Sequence, residues 1–125
     1  MLNSMAVSIK FESLSGNTEF KEILRSKKVI SNLFTIYYKK LEKEVTNNKK
    51  VILSCVSAKK LGNAVKRNRI RRRLKMATRK AIVELNSAFN NKFKYAIFAK
   101  SKVYDENFQH LVEELKNKFK EAKYN

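Results

Sequence analysis

Apolar positions recur along this chain with two different periods, and each change of period marks an element. Phe20, Ile23 and Leu24 stand at i, i+3 and i+4 within residues 17–24, the spacing that lines one face of a short helix. Asn17 or Thr18 is the predicted cap, and Glu19 and Glu22 suit the positive end of the helix dipole. Residues 25–32 are polar and read as a loop. Leu33–Tyr38 is aromatic and β-branched and reads as a strand. Lys39–Lys50 follows as a charged connection with Asn47-Asn48 as its turn, and Val51–Ala58, nearly all apolar, reads as a second, central strand.

A long helical pattern comes next. Ile70, Leu74, Ala77, Ala81, Leu85 and Ala88 are separated by intervals of three and four, so at about 100° per residue they form one apolar stripe. The predicted helix covers about 64–88, with Gly62-Asn63 as a tight start and Asn63 able to cap the first turn. Phe93–Lys100 alternates as a strand with Phe93, Tyr95, Ile97 and Ala99 on one face. Asp105–Lys120 reads as an amphipathic helix carrying Phe108, Leu111, Val112, Leu115 and Phe119, with Asp105 and Glu106 as acids of its first turn. Residues 1–12 read as flexible. The order helix, strand, strand, helix, strand, helix implies an α+β fold, a sheet packed with helices in one domain over 1–125.

Charge alters this picture more than composition does. The 125 residues carry 29 Lys+Arg against 11 Asp+Glu, a net charge of +18, while 43% of positions are hydrophobic. Such a chain has the means to fold, and its excess charge calls for a polyanion, most often nucleic acid. The excess is also localised. Arginine occurs seven times, six of them between Arg67 and Arg79, and Lys59–Lys80 holds eleven basic residues and no acid. Lysine serves as a diffuse field, whereas the planar fork of arginine matches phosphate geometry. An ordinary solvated helix face would be expected to interleave Glu. The arginines of the long helix fan over the arc opposite its apolar stripe, so one side packs and the other faces RNA or water.

Other chemistry is thin. One Cys, Cys55, excludes an internal disulfide, and one His, His110, leaves no histidine cluster. No apolar run reaches the roughly 20 residues of a membrane span. The first ten residues lack the basic start and apolar core of a secretory signal, so a cytoplasmic location is expected. Cys55 reads as a small core residue and His110 as a surface one. No nucleophile, general base or metal cluster stands out, and no catalytic or metal-binding residue is assigned.

The run Leu61-Gly62-Asn63-Ala64-Val65-Lys66-Arg67-Asn68-Arg69-Ile70-Arg71-Arg72-Arg73-Leu74-Lys75, preceded by Lys59-Lys60, resembles the signature of the protein subunit of bacterial ribonuclease P, and the element order resembles that family over most of the chain. The resemblance implies a sheet of about four strands, similar to the second domain of a small-subunit ribosomal protein, with the basic helix as a left-handed βαβ crossover. It also implies the protein component of a tRNA 5′-processing endoribonuclease, in which an RNA subunit binds Mg²⁺ and carries out the hydrolysis. The implied partners are the catalytic RNA and precursor tRNA, with no membrane and no obligatory protein partner. Contacts to the catalytic RNA are implied for Lys59, Lys60, Asn63, Arg67, Asn68, Arg69, Arg71, Arg72, Arg73 and Lys75. Asn68 also suits a backbone cap or polar anchor, and the stem of Arg67 borders the apolar stripe and suits packing. Phe20, Phe34 and Tyr37 are the implied aromatic contacts to the 5′ leader, although Phe34 and Tyr37 have opposite strand parity. Leu24 stands where the family often has a second aromatic and Ala58 where it commonly has Ser, and residues 12–22 are less basic than usual. Two other readings of the same charge are a generic ribosome-associated RNA-binding protein and a DNA-binding helix protein.

Overall fold

A computed structural model describes residues 9–41 and 50–122 of the chain. Its five strands are β1 (Lys10–Glu12), β2 (Lys27–Ile30), β3 (Phe34–Lys40), β4 (Lys50–Val56) and β5 (Phe93–Ala99), in the spatial order β1-β4-β5-β3-β2. Three helices accompany them: α1 (Gly16–Leu24), α2 (Ala64–Leu85) and α3 (Phe108–Ala122). β4 and β5 are parallel neighbours, so α2 is the crossover of a βαβ unit, while β5, β3 and β2 pair antiparallel. The α+β class is as expected. The sheet has one strand more than the family resemblance implies and two more than periodicity alone shows.

Both extra strands are edge strands with little apolar content. Lys10–Glu12, within the stretch read as flexible, pairs parallel with β4, placing Phe11 opposite Val51. Lys27–Ile30, within the stretch read as a loop, pairs with β3, and of its four residues only Val29 is buried. A strand with one buried side chain leaves no period to detect. The predicted turn at Asn47-Asn48 lies outside the described residues, and Lys39 and Lys40 extend β3 rather than beginning the connection.

Strand alternation sends side chains to two separate cores. On one face, Phe34, Ile36 and Tyr38 of β3 and Tyr95 and Ile97 of β5 meet Ile70, Leu74 and Ala77 of α2 and Leu111, Leu115 and Phe119 of α3. On the other, Leu14, Ile23 of α1 and Ala96 of β5 are buried, with Phe20, Tyr37, Ile52 and Phe98 partly covered beside them. The sheet is therefore a middle layer: α2 and α3 cover one face, and α1 partly covers the other.

Helix ends depart from the sequence reading for local reasons. Ser15, not Asn17 or Thr18, is the N-cap of α1, and the Glu19 carboxylate reaches back to accept from the Ser15 backbone N–H at 2.6 Å. Asn63 does cap α2, its Oδ1 accepting from the Lys66 N–H at 2.9 Å. Gly62 ahead of it has φ +138, and a Cβ there would fall 2.8 Å from Cδ of Lys66, so this start requires glycine. α2 ends at Leu85 because Asn86 turns to φ 51, and Ala88 leaves the stripe for an exposed 3-10 turn. α3 starts at Phe108, with Asn107 Oδ1 accepting from the His110 N–H at 3.0 Å. Asp105 and Glu106 precede that helix instead of forming its first turn.

Candidate nucleic-acid interface

Two surfaces carry residues of the basic motif, one on α2 and one beside the turn that leads into it. The first is the outer arc of α2. Arg71, Lys75 and Arg79 follow each other at i, i+4 and i+8 and, with Arg72, line one wall of a groove of about 510 Å³ whose opposite wall is Phe11, Glu12 and Ser13. Glu12, the acid of that wall, is paired with Lys50 at 3.3 Å, and the guanidinium of Arg79 sits 5.0 Å from the Phe11 ring centroid. Arg71, Arg72, Lys75 and Arg79 are all exposed. The remaining positive charge on this arc is therefore available to phosphates.

The basic residues of the motif are not equivalent. Arg73 is half-buried, and its Nε donates to the Val103 carbonyl at 2.8 Å while Nη2 donates to the Glu106 carbonyl. It ties α2 to the segment leading into α3. Arg69 donates from Nε to the Tyr104 carbonyl at 3.1 Å and lies 4.8 Å from the centroid of the Tyr104 ring. Arg67 is half-buried with Nε enclosed and unpaired, and its carbonyl accepts from Ser57 Oγ at 2.9 Å, so its stem is packed as its place beside the stripe suggests. Asn68 is exposed and its Oδ1 accepts from Arg71 Nη2 at 2.6 Å. That bond makes it an orienter of Arg71 and not a cap. Asn63 has its oxygen committed to the cap, and Lys59 and Lys60 stand exposed on a 3-10 turn over Lys59–Leu61.

The second surface is a cleft of about 520 Å³ on the α1 side of the sheet, lined by Leu24, Thr35, Tyr37, Ala58, Lys60 and Phe98 among others. Tyr37 and Phe98 meet edge to face with centroids 5.5 Å apart. Phe20 of α1 is half-buried in the same cluster. Phe34 is not part of it. It is fully buried in the opposite core, because its parity on β3 is opposite to that of Tyr37, and a leader contact there is a correction to the expectation. Lys60, from the same motif as the arginines of α2, stands on the cleft wall.

The acids of α1 do not oppose an anion in this cleft. Glu19 pairs with Lys94 at 3.0 Å and Glu22 with Lys39 at 3.5 Å. The Ser15 backbone N–H, and after it the Lys94 ammonium, hold the Glu19 carboxyl below its ordinary range. Cys55 faces the α2 side with its sulfur 3.9 Å from Thr78 Oγ1, and burial pushes its thiol up to about 11. It is a poor nucleophile there. Among the described residues no three His, Cys, Asp or Glu side chains gather into a group able to hold a metal ion, and no helix is long and apolar enough to cross a membrane.

The family described as Ribonuclease P matches residues 9–123, a span that includes every described residue. The chain belongs to the ribonuclease P protein family. A ribonuclease P protein component from Mycoplasma mycoides subsp. mycoides is 35% identical over 100 residues, covering 70% of this chain and 86% of that one. Another, from Carboxydothermus hydrogenoformans, is 34% identical over 108 residues, covering 85% and 86%. The fold matches the RNase P protein of Staphylococcus aureus with a TM-score of 0.68 at 21% identity, over 89% of this chain and 94% of that one. The RNase P protein from Thermotoga maritima gives 0.66 at 22% identity, over 88% and 96%.

Within this ribonuclease P family member, two residues on these surfaces were not singled out as contacts by the sequence reading. Phe98 is the aromatic partner of Tyr37, and the alternation of Tyr95 and Ile97 with Ala96 and Phe98 is the signal that would have placed it on the cleft face. Arg79 completes the 71-75-79 row, which helical spacing alone marks.

Proposed function

We propose that this chain is the protein subunit of a ribonuclease P ribonucleoprotein, assisting removal of the 5′ leader from precursor tRNA. The observation that carries the reading is that one chain combines an acid-free arginine face on α2 with an aromatic cleft whose wall includes Lys60 of the same motif. The α2 face, through Arg71, Arg72, Lys75 and Arg79, and Lys59 on the turn before it, take phosphates of the catalytic RNA. The cleft takes the single-stranded leader, with an unstacked base against the Tyr37–Phe98 surface and a backbone phosphate at Lys60. Arg73 and Arg67 support the helix that presents these groups.

This division of labour gives substrate selection without a catalytic side chain. Precursor and mature tRNA differ by the leader, so a leader contact is made by the substrate and lost in the product. One base stacked on an aromatic surface is worth about 1–3 kcal/mol. That corresponds to a preference of about fivefold to more than a hundredfold for precursor. The RNA subunit, with Mg²⁺, supplies the hydrolysis. The test is reconstitution with the cognate catalytic RNA. Adding the protein should tighten precursor binding well beyond any effect on mature tRNA; equal effects on both would refute the reading.

A further inference from the structure

A third concave surface lies at the other end of the sheet, and neither the motif helix nor the cleft uses it. It is a groove of about 540 Å³ lined by Lys27, Tyr38, Lys39, Lys40, Lys92 and Phe93 in company with small polar groups. Register explains the convergence: Lys27 pairs with Tyr38 across β2 and β3, and Lys40 pairs with Phe93 across β3 and β5. Along β3 the groove is six residue steps from Phe34, near which the motif turn sits, or about 20 Å at 3.4 Å per residue.

Two independent features mark it as built for an anion. Lys27, Lys40 and Lys92 are exposed and make no ion pair with the described residues, while Lys39 leans away to Glu22 at 3.5 Å. Four lysines thus border one groove, and three of them have no counter-charge among the described residues. The second feature is Tyr38. It is only 1% exposed, and its hydroxyl has no hydrogen-bond partner. The neighbouring Tyr95 shows the ordinary arrangement, its hydroxyl donating to the Asn90 carbonyl at 2.6 Å. A buried donor without a partner beside a basic groove is an unsatisfied group that an acceptor oxygen bound in the groove would satisfy. Phe93, edge-on to Tyr38 at 5.3 Å, adds an apolar surface.

We propose that this groove is a second phosphate-binding site for RNA, distinct from the α2 face, in which a backbone phosphate accepts from the Tyr38 hydroxyl and is neutralised by Lys27, Lys40 and Lys92. The inference rests on the RNA-binding reading above and extends it to the far end of the sheet. The chain then touches RNA at both ends of β3. The phosphate belongs either to the catalytic RNA or to precursor tRNA, and the two are separable by experiment.

The test measures the salt dependence of affinity for the catalytic RNA, and separately of holoenzyme affinity for precursor tRNA. The variants are a combined Lys27→Ala, Lys40→Ala, Lys92→Ala protein and a Tyr38→Phe protein, with Arg71→Ala, Lys75→Ala as the control. Each lost phosphate contact lowers the slope of log K against log salt by about 0.9 on a duplex and about 0.7 on a single strand. The triple-lysine variant should therefore lower the slope by at least about 0.7 for one of the two RNAs, and which one responds identifies the source. Tyr38→Phe, which leaves no new unpaired group, should melt like wild type and bind that same RNA about threefold to tenfold more weakly. Slopes unchanged by the lysine variant while the control lowers them would overturn the groove alone. A lysine effect without any Tyr38→Phe effect would also overturn it, since only a diffuse field would then remain. If the control changes nothing either, the RNA-binding reading of α2 fails with it.

Discussion

Arg72 and Arg73 are adjacent in the motif and chemically identical, yet the structure gives them different tasks. Arg72 is exposed on the outer arc of α2, while Arg73 donates to the carbonyls of Val103 and Glu106. A hydrogen bond from a charged donor contributes about 1.5–3 kcal/mol. Arg73 is half-buried, so water recovers part of both bonds when it is removed, leaving a net cost for Arg73→Ala of about 2 kcal/mol. For a domain of this length each kcal/mol moves the melting temperature by about 3–5 °C, so the expected fall is about 6–10 °C. Arg72→Ala should shift it by no more than the ±0.5 kcal/mol typical of surface positions. The salt slope of binding to the catalytic RNA should reverse the order, falling by about 0.9 for Arg72→Ala and staying unchanged for Arg73→Ala. Arg73→Lys keeps the charge but loses the fork, so it should melt nearly as low as Arg73→Ala. The assays are thermal denaturation by circular dichroism and filter binding across a salt series. An Arg73→Ala protein that melts like wild type and loses about one unit of slope would refute the assignment.

Other consequences are equally open to measurement. Tyr37→Ala should weaken holoenzyme binding of precursor tRNA about fivefold to a hundredfold and leave mature tRNA binding unchanged, the loss of one base stack; a parallel loss on both would remove Tyr37 from the leader. Phe34→Ala should cost about 3–5 kcal/mol of folding stability through the cavity it opens in the α2–α3 core, and at a temperature where it is folded it should retain the preference for precursor. Glu19 has a folded-state pKa below its ordinary value of 4.5, so its contribution is intact above that value and is lost as pH falls through the folded value. The difference in melting temperature between wild type and Glu19→Gln should therefore be constant at neutral pH and close under acid conditions; a difference that persists to about pH 2 would show that the carboxylate is not what holds α1.

The basic face was legible in the sequence because it rests on two robust signals, a 3.6-residue stripe and the exclusion of acids from Lys59–Lys80. The central elements were legible for the same reason: Val51, Leu53, Tyr95 and Ile97 belong to strands with enough buried side chains to set a period. β1 and β2 were not, since each has one residue, Phe11 or Val29, turned to the core, and their pairing is supplied by β4 and β3. Parity already set Phe34 and Tyr37 on opposite faces, but deciding which face held the cleft required α1 to be placed. Individual arginine roles were illegible for a different reason. The carbonyls that hold Arg73 and Arg69 come from residues 103–106, some thirty positions downstream, and no local pattern announces such a bond.

The central claim is that this chain works through an RNA subunit on precursor tRNA. The most direct measurement is the rate of leader removal from precursor tRNA by the cognate catalytic RNA at low Mg²⁺, with and without the protein. The account predicts that the protein raises kcat/KM, that it does so less as the leader is shortened past the cleft, and that Tyr37→Ala reproduces the shortened-leader rate. A rate indifferent to the protein, or a stimulation equally large with no leader to hold, would contradict it.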